Sequence, residues 1–84
     1  MVVFLVDEAS YGVALSYSSP DTKIVLLQDA VYHVTKGPQR GELYVLEDDV
    51  VRRGLDSKIP PAVHVIGYGD LVRMMEQEMV VNFQ

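Results

Sequence analysis

The chain has 84 residues, no cysteine, and twelve acids against seven bases for a formal net charge of −5. That length makes one domain, residues 1–84. The missing cysteine excludes disulfides, thiolate zinc sites and nucleophilic sulfur chemistry by these residues.

The bases Lys23, Lys36, Arg40, Arg52, Arg53, Lys58 and Arg73 are scattered, with only Arg52 and Arg53 adjacent. Such a field disfavours polyanions, so no direct nucleic-acid partner is expected. A domain near this length buries roughly 60 % of its chain surface, which leaves a thin stability margin. Small scaffolds compensate by tight packing or by association, and the 49 % apolar content suits both.

The apolar start Met1 to Val6 meets Asp7-Glu8 without a basic flank, so a signal peptide is not expected. No apolar run reaches the roughly 18 residues of a spanning helix. No membrane partner is expected, and the cytoplasm is the expected compartment.

Taken in chain order, the first predicted element is the strand Val2-Val3-Phe4-Leu5-Val6. The segment Glu8 to Ser18 follows, where Ala9, Val13 and Tyr17 share one helical face but Gly12 weakens it. Ser18-Ser19-Pro20-Asp21 is a turn. Ile24 to Leu27 is the second strand, and like the first it lacks polar alternation, as strands covered on both faces do. Asp29 then opens a helix to Lys36, its carboxylate matching the positive helix end, and Gly37-Pro38 stops it.

Leu43 to Leu46 is the third strand, followed by a short helix that starts with Glu47-Asp48-Asp49 and ends with Arg52-Arg53 before Gly54. Val63 to Ile66 is the fourth strand; this run and the third are mixed in polarity, as nearer an edge. The last helix runs from about Asp70 to Glu78, with Gly69 as N-cap and a stripe of Leu71, Val72, Met75 and Met79. The tail Met79 to Phe83 can end that helix, add a fifth strand or reach a neighbouring subunit.

Connections of this length suit parallel crossovers. The expected fold is therefore α/β, a three-layer α/β/α sandwich around a parallel sheet of four strands, five if the tail joins, in the order 2-1-3-4.

Ligands of open α/β sheets bind at the C-terminal strand ends. Here those ends carry Asp7-Glu8, Gln28-Asp29, Glu47-Asp48-Asp49 and Gly67-Tyr68-Gly69-Asp70. The acids could hold a divalent cation, but each stands where it can cap its own helix, and capping is the expected role. An acidic rim repels phosphate, and no strand is followed by GxGxxG or GxxxxGK[ST]. Gly67-Tyr68-Gly69 reads as a tight turn. His33 falls within a helix and His64 within a strand, both in structural roles. Ser10, Ser16, Ser18 and Ser19 lack a base partner. No catalytic residue, metal or cofactor is expected.

Three blocks carry a resemblance. Ile24-Val25-Leu26-Leu27-Gln28-Asp29-Ala30-Val31-Tyr32 resembles the "LLLQDG(V/I)" signature of the TusB/DsrH family. Leu43-Tyr44-Val45-Leu46, an acidic pair and Val51-Arg52-Arg53-Gly54-Leu55 are similar to its "(V)YAL…D…ARGL". Ile66-Gly67-Tyr68-Gly69-Asp70-Leu71-Val72 resembles "(I/V)DYxxFV(D/R)L".

The resemblance implies a DsrE-like fold (DsrEFH- or flavodoxin-like) and a place in sulfur relay. Such subunits assemble with two sister subunits into a hexamer that passes persulfide sulfur toward 2-thiouridine at the tRNA wobble position, or serves sulfur oxidation. The active cysteine usually lies on a sister subunit. Some members carry a cysteine in helix one, where this chain has Ala14, and the tail lacks the family's tryptophan, with Phe83 in its stead.

The reading that follows is a non-catalytic accessory subunit, paired with DsrE/DsrF-like (TusD/TusC-like) subunits or with itself as a dimer. The alternatives are a stand-alone homodimeric module without a sulfur role, and a weak metal- or nucleotide-binding domain. The expected partner contacts are Gln28, Asp29, Tyr32, Tyr68, Val80, Val81 and Phe83.

Overall fold

The computed structural model describes residues 2–36 and 42–83. The expected Gly37-Pro38 stop and Arg40 lie outside the described residues. Five strands form one parallel sheet: β1 (Val2–Val6), β2 (Lys23–Leu26), β3 (Glu42–Leu46), β4 (His64–Ile66) and β5 (Met79–Phe83). Three α-helices, α1 (Tyr11–Tyr17), α2 (Glu47–Arg52) and α3 (Tyr68–Gln77), and a 3-10 helix over Gln28–Lys36 connect them.

The strand order is β4-β3-β2-β1-β5, not 2-1-3-4. Each of the first three crossovers moves one place in the same direction, and the last returns the chain to the far side of β1. The tail is therefore a strand, with Val80 opposite Val3 and Val81 opposite Phe4. β3 lies inside the sheet and only β4 of the two mixed runs is an edge. The uninterrupted apolar strands are the covered ones: Val3, Phe4, Leu5 and Val6 are at most 7 % exposed, and Ile24, Val25 and Leu26 are fully buried.

Right-handed crossovers that step in one direction stack their helices on one face, and a reversed step uses the other. The packing follows that rule. On one face Phe4, Val6, Ile24, Leu26, Leu43 and Val45 lie under Ala14, Val31, Val34 and Val50. On the other, Val3, Leu5 and Val25 lie under Leu71, with Met74 packed alongside. The sandwich has three layers, but one outer layer is α3 alone.

Three local expectations change. The second connection is a 3-10 helix rather than an α-helix. Its buried residues Ala30, Val31, His33 and Val34 pair three apart, as the threefold repeat of a 3-10 helix requires, and Val31 and Val34 are weak α formers. In α1 the buried residues are Tyr11 and Ala14, whereas Ala9, Val13 and Tyr17 face solvent. The turn in which Asp7 Oδ1 accepts the Ser10 N–H (3.0 Å) delays the helix start and so sets which face turns inward.

Helix α3 starts at Tyr68 with Gly67 as its N-cap, not Gly69. Of its expected stripe only Leu71 is buried; Val72 and Met75 are partly exposed and Met79 already belongs to β5. The close of α2 is as expected: Gly54 has φ of +68°, the left-handed stop that glycine adopts without strain.

Candidate functional site

The C-terminal ends of the strands collect Asp7 and Glu8, Gln28 and Asp29, the acids of α2, and Gly67 to Asp70 along one rim. Its centre lies between β2 and β3. Gln28 leaves β2 with φ of +52°, a left-handed conformation that costs a non-glycine residue about 1–2 kcal/mol. What holds it there is Asp49: Oδ2 accepts the Gln28 N–H at 3.0 Å.

Arg53 completes the arrangement. Its Nε donates to Asp29 Oδ1 at 3.0 Å, while Nη1 lies 3.4 Å from Asp49 Oδ1 and 3.3 Å from the Asp49 carbonyl. The side chains of Asp49 and Arg53 are 10 % and 15 % exposed, so this pairing is largely shielded from water. The Gln28-Asp29 turn is thus clamped from α2, with the Gln28 side chain left in solvent.

The capping expectation is not met: none of α1, α2 and α3 has a side-chain cap hydrogen bond, and Asp7 accepts only from the N–H of Ser10, the N-cap residue of α1. Asp29 and Asp49 are turned toward Arg53, and Asp70 pairs with Arg73 at 3.4 Å. The reason is competition: the largely shielded Arg53 guanidinium and the strained Gln28 N–H are stronger donors to these carboxylates than solvated helix-end amides.

Farther along the rim, Leu46, Glu47, Asp48, Gly67 and Tyr68 line a shallow depression of about 80 Å³. Among the described residues no group of His, Asp and Glu has the arrangement of a metal site.

His33 lies in the 3-10 helix and His64 in β4. His33 is buried and stacks on Tyr11, rings 3.7 Å apart and 6° from parallel. Glu8 Oε2 approaches its Nε2 to 2.7 Å as an ion-pair contact, without the alignment of a hydrogen bond. Burial raises the Tyr11 phenol above its usual pKa. His64 is exposed and stacks on Tyr44 at 4.7 Å.

Sequence reasoning missed a second polar cluster, at the opposite end of the strands. Lys23 Nζ meets Glu78 Oε2 at 2.7 Å, and the Tyr44 hydroxyl donates to Glu42 Oε2 at 2.7 Å. Burial, that hydrogen bond and the charges of Glu42 and Glu78 push the Tyr44 pKa up to about 12. Lys23 and Glu78 lie 55 positions apart, so no local signal joins them. The Asp49–Arg53 pair was missed as well, Arg53 being read only as the basic end of its helix, although the i,i+4 spacing could have signalled it.

Of the expected contact residues, Gln28, Asp29 and Tyr68 are exposed and Tyr32 is about half exposed. Val80, Val81 and Phe83 are partly buried, Val80 against the α3 face and the other two against the opposite face. Phe83 packs on Phe4 with ring centroids 4.8 Å apart. The structure therefore divides the set into rim residues and residues of the β5 edge.

A small parallel α/β sandwich with an acidic, arginine-clamped rim and no phosphate loop defines the class. The DsrH-like family model, described as "DsrH like protein", matches residues 6–81, and the chain belongs to that family. Among solved structures it is similar to the solution NMR structure of protein Tm0979 from Thermotoga maritima, with a TM-score of 0.69 and 23 % identity over 93 % of this chain and 94 % of that one. At that identity the likeness bears on the fold. No curated protein matches. No helix among the described residues is long and apolar enough to cross a membrane.

Proposed function

We propose that the chain is a non-catalytic accessory subunit of a cytoplasmic sulfur-relay assembly, one that supports tRNA wobble-uridine 2-thiolation or a related sulfur transfer. The observation that carries the reading is a DsrH-like chain without a single cysteine. A persulfide needs a thiolate sulfur. Within a relay, this chain is then left the work of binding and shaping a subunit that has one.

The surroundings of the polar side chains support the same role. The Ser16 and Ser18 hydroxyls donate to the carbonyls of Val13 and Leu15, and Ser19 is engaged with Thr22. His33 is stacked on the Tyr11 ring, and its ring nitrogens have no hydrogen-bond partner among the described residues. Gln28, Asp29, Tyr32 and Tyr68 on the rim, with Val80, Val81 and Phe83 at the sheet edge, are the contacts assigned to partners, either a second copy or DsrE/DsrF-like subunits.

Affinity capture from the native host, combined with measurement of tRNA 2-thiouridine in a deletion strain, tests the proposal. Recovery of a cysteine-bearing DsrE-like subunit and a fall in thiolated tRNA are expected. Capture without any such subunit, together with unchanged thiolation and sulfur oxidation, overturns it.

A further inference from the structure

Of the two histidines, His33 is enclosed and His64 is exposed. The His33 side chain is only 10 % exposed, and neither ring nitrogen has a hydrogen-bond partner among the described residues. Polar atoms left unpaired at such burial cost free energy, so another interaction has to offset them. Two neighbours supply one. Glu8 Oε2 lies 2.7 Å from Nε2, and the Tyr11 ring covers the imidazole at 3.7 Å, 6° from parallel.

Both contacts favour the protonated ring. Glu8 is not aligned as a hydrogen-bond acceptor, so its carboxylate attracts the imidazole through charge, and a neutral ring forfeits that attraction. An aromatic face carries negative potential, so the stacked phenol also prefers a positive partner. Burial raises the Tyr11 phenol above its usual pKa, which keeps it neutral where histidines titrate.

The other ionisable groups around the 3-10 helix are engaged elsewhere. Asp29 of the same element and Asp49 of α2 both meet Arg53. The strands beneath contribute Phe4, Val6, Ile24 and Leu26, all apolar.

We propose that Glu8, Tyr11 and His33 form a proton-operated latch between the β1–α1 turn and the 3-10 helix. Histidine side chains change charge between about pH 5 and pH 8. With the proton bound, the ring holds Glu8 at its edge and Tyr11 against its face. Once the proton leaves, Glu8, whose side chain is 56 % exposed, turns to solvent and α1 loses a tie. That helix has little else to hold it: its buried residues are Tyr11 and Ala14, and its N-terminus has no side-chain cap. Glu8 follows β1 and the 3-10 helix begins at Gln28, so the latch joins the rim at the ends of β1 and β2. Its opening loosens the part of the rim that carries Gln28, Asp29 and Tyr32.

Amide hydrogen exchange of the full chain across the histidine range tests the latch, read as protection factors so that the intrinsic pH dependence cancels. The reporter is the Ala14 N–H, which donates to the Ser10 carbonyl at 2.9 Å and closes the first turn of α1. Its protection should fall by about threefold as pH rises, a modest change because Glu8 is half in water. The amides of β2 should keep theirs. Glu8→Gln retains the shape without the charge, and should give the low Ala14 protection at every pH. His64→Gln should leave the fall intact. Protection of Ala14 that is flat with pH in the unsubstituted chain overturns the proposal. So does a fall that survives Glu8→Gln undiminished, or one that vanishes in His64→Gln. Should Glu8→Gln lose its circular-dichroism signature, the His33 ring resonances of the unsubstituted chain decide: their titration has to coincide with the change at Ala14, and a mismatch sinks the latch.

Discussion

The two faces of the sheet are built from the same alternating residues but stabilised differently. The face under α1, the 3-10 helix and α2 is closed by apolar contact, with Ile24, Leu26, Val31 and Val45 fully buried. The α3 face has one helix over five strands, and Tyr44, Leu46, Ile66 and Val80 there are only partly buried. Toward the N-terminal strand ends that face is held by polar pairs, Lys23 with Glu78 and Tyr44 with Glu42. A sheet whose strand order reverses once distributes its helices unequally, and the sparse face must use polar side chains or a partner to complete its cover.

Truncation of matched core residues tests that contrast most severely. Ile24→Ala is expected to cost about 3–5 kcal/mol in chemical denaturation, because a fully enclosed site cannot collapse around the cavity. Leu71→Ala on the α3 face should cost only about 2 kcal/mol, since the partly exposed Met74 and Tyr44 beside it can move in. Equal losses for the two would break the distinction.

A smaller effect is expected from Lys23→Met. The side chains of Lys23 and Glu78 are 21 % and 12 % exposed, and Glu78 Oε1 already lacks a hydrogen-bond partner. Removing the ammonium strands a largely buried carboxylate, at about 1–3 kcal/mol. Double-mutant cycles with Glu78→Gln measure the coupling, and a coupling near zero would mean that apolar contact alone holds this face.

The smallest effect is the titration of Tyr44. Its folded pKa, about 12, lies above the ordinary tyrosine value of 10.0, so the neutral phenol is favoured by folding. That contribution is fully present below pH 10 and is lost as pH rises from about 10 through 12. Glu42→Gln removes both an acceptor charge and a Coulomb cause, so ultraviolet titration of the phenols should show the Tyr44 step moving down.

Much of the fold was legible in local chemistry. The continuous apolar runs marked β1 and β2 as covered strands, and the acid-first, base-last, glycine-terminated pattern marked α2 and its stop at Gly54. The rim was legible as a place, because acids cluster at strand ends in the sequence itself. What was not legible is what those acids do there. Asp49 looks like a helix-opening residue, yet its carboxylate satisfies the strained Gln28, 21 positions away, and Arg53. The face of α1 was misassigned for a related reason: the Asp7–Ser10 turn puts the helix start at Tyr11, whereas of the expected α3 stripe Leu71 is buried and Val72 and Met75 are not.

By itself the sequence determined the absence of sulfur chemistry in these residues, the identity of the first four strands, and the family they resemble. Each of these depends on residue type or near-neighbour spacing. The tertiary structure decided the order β4-β3-β2-β1-β5, the conversion of the tail into an edge strand, and the unequal cover of the two faces. The physical reason is that strand neighbours are chosen by contacts between distant segments. Val80 pairs with Val3 because burial on both sides of β1 is worth more than any preference written within the tail.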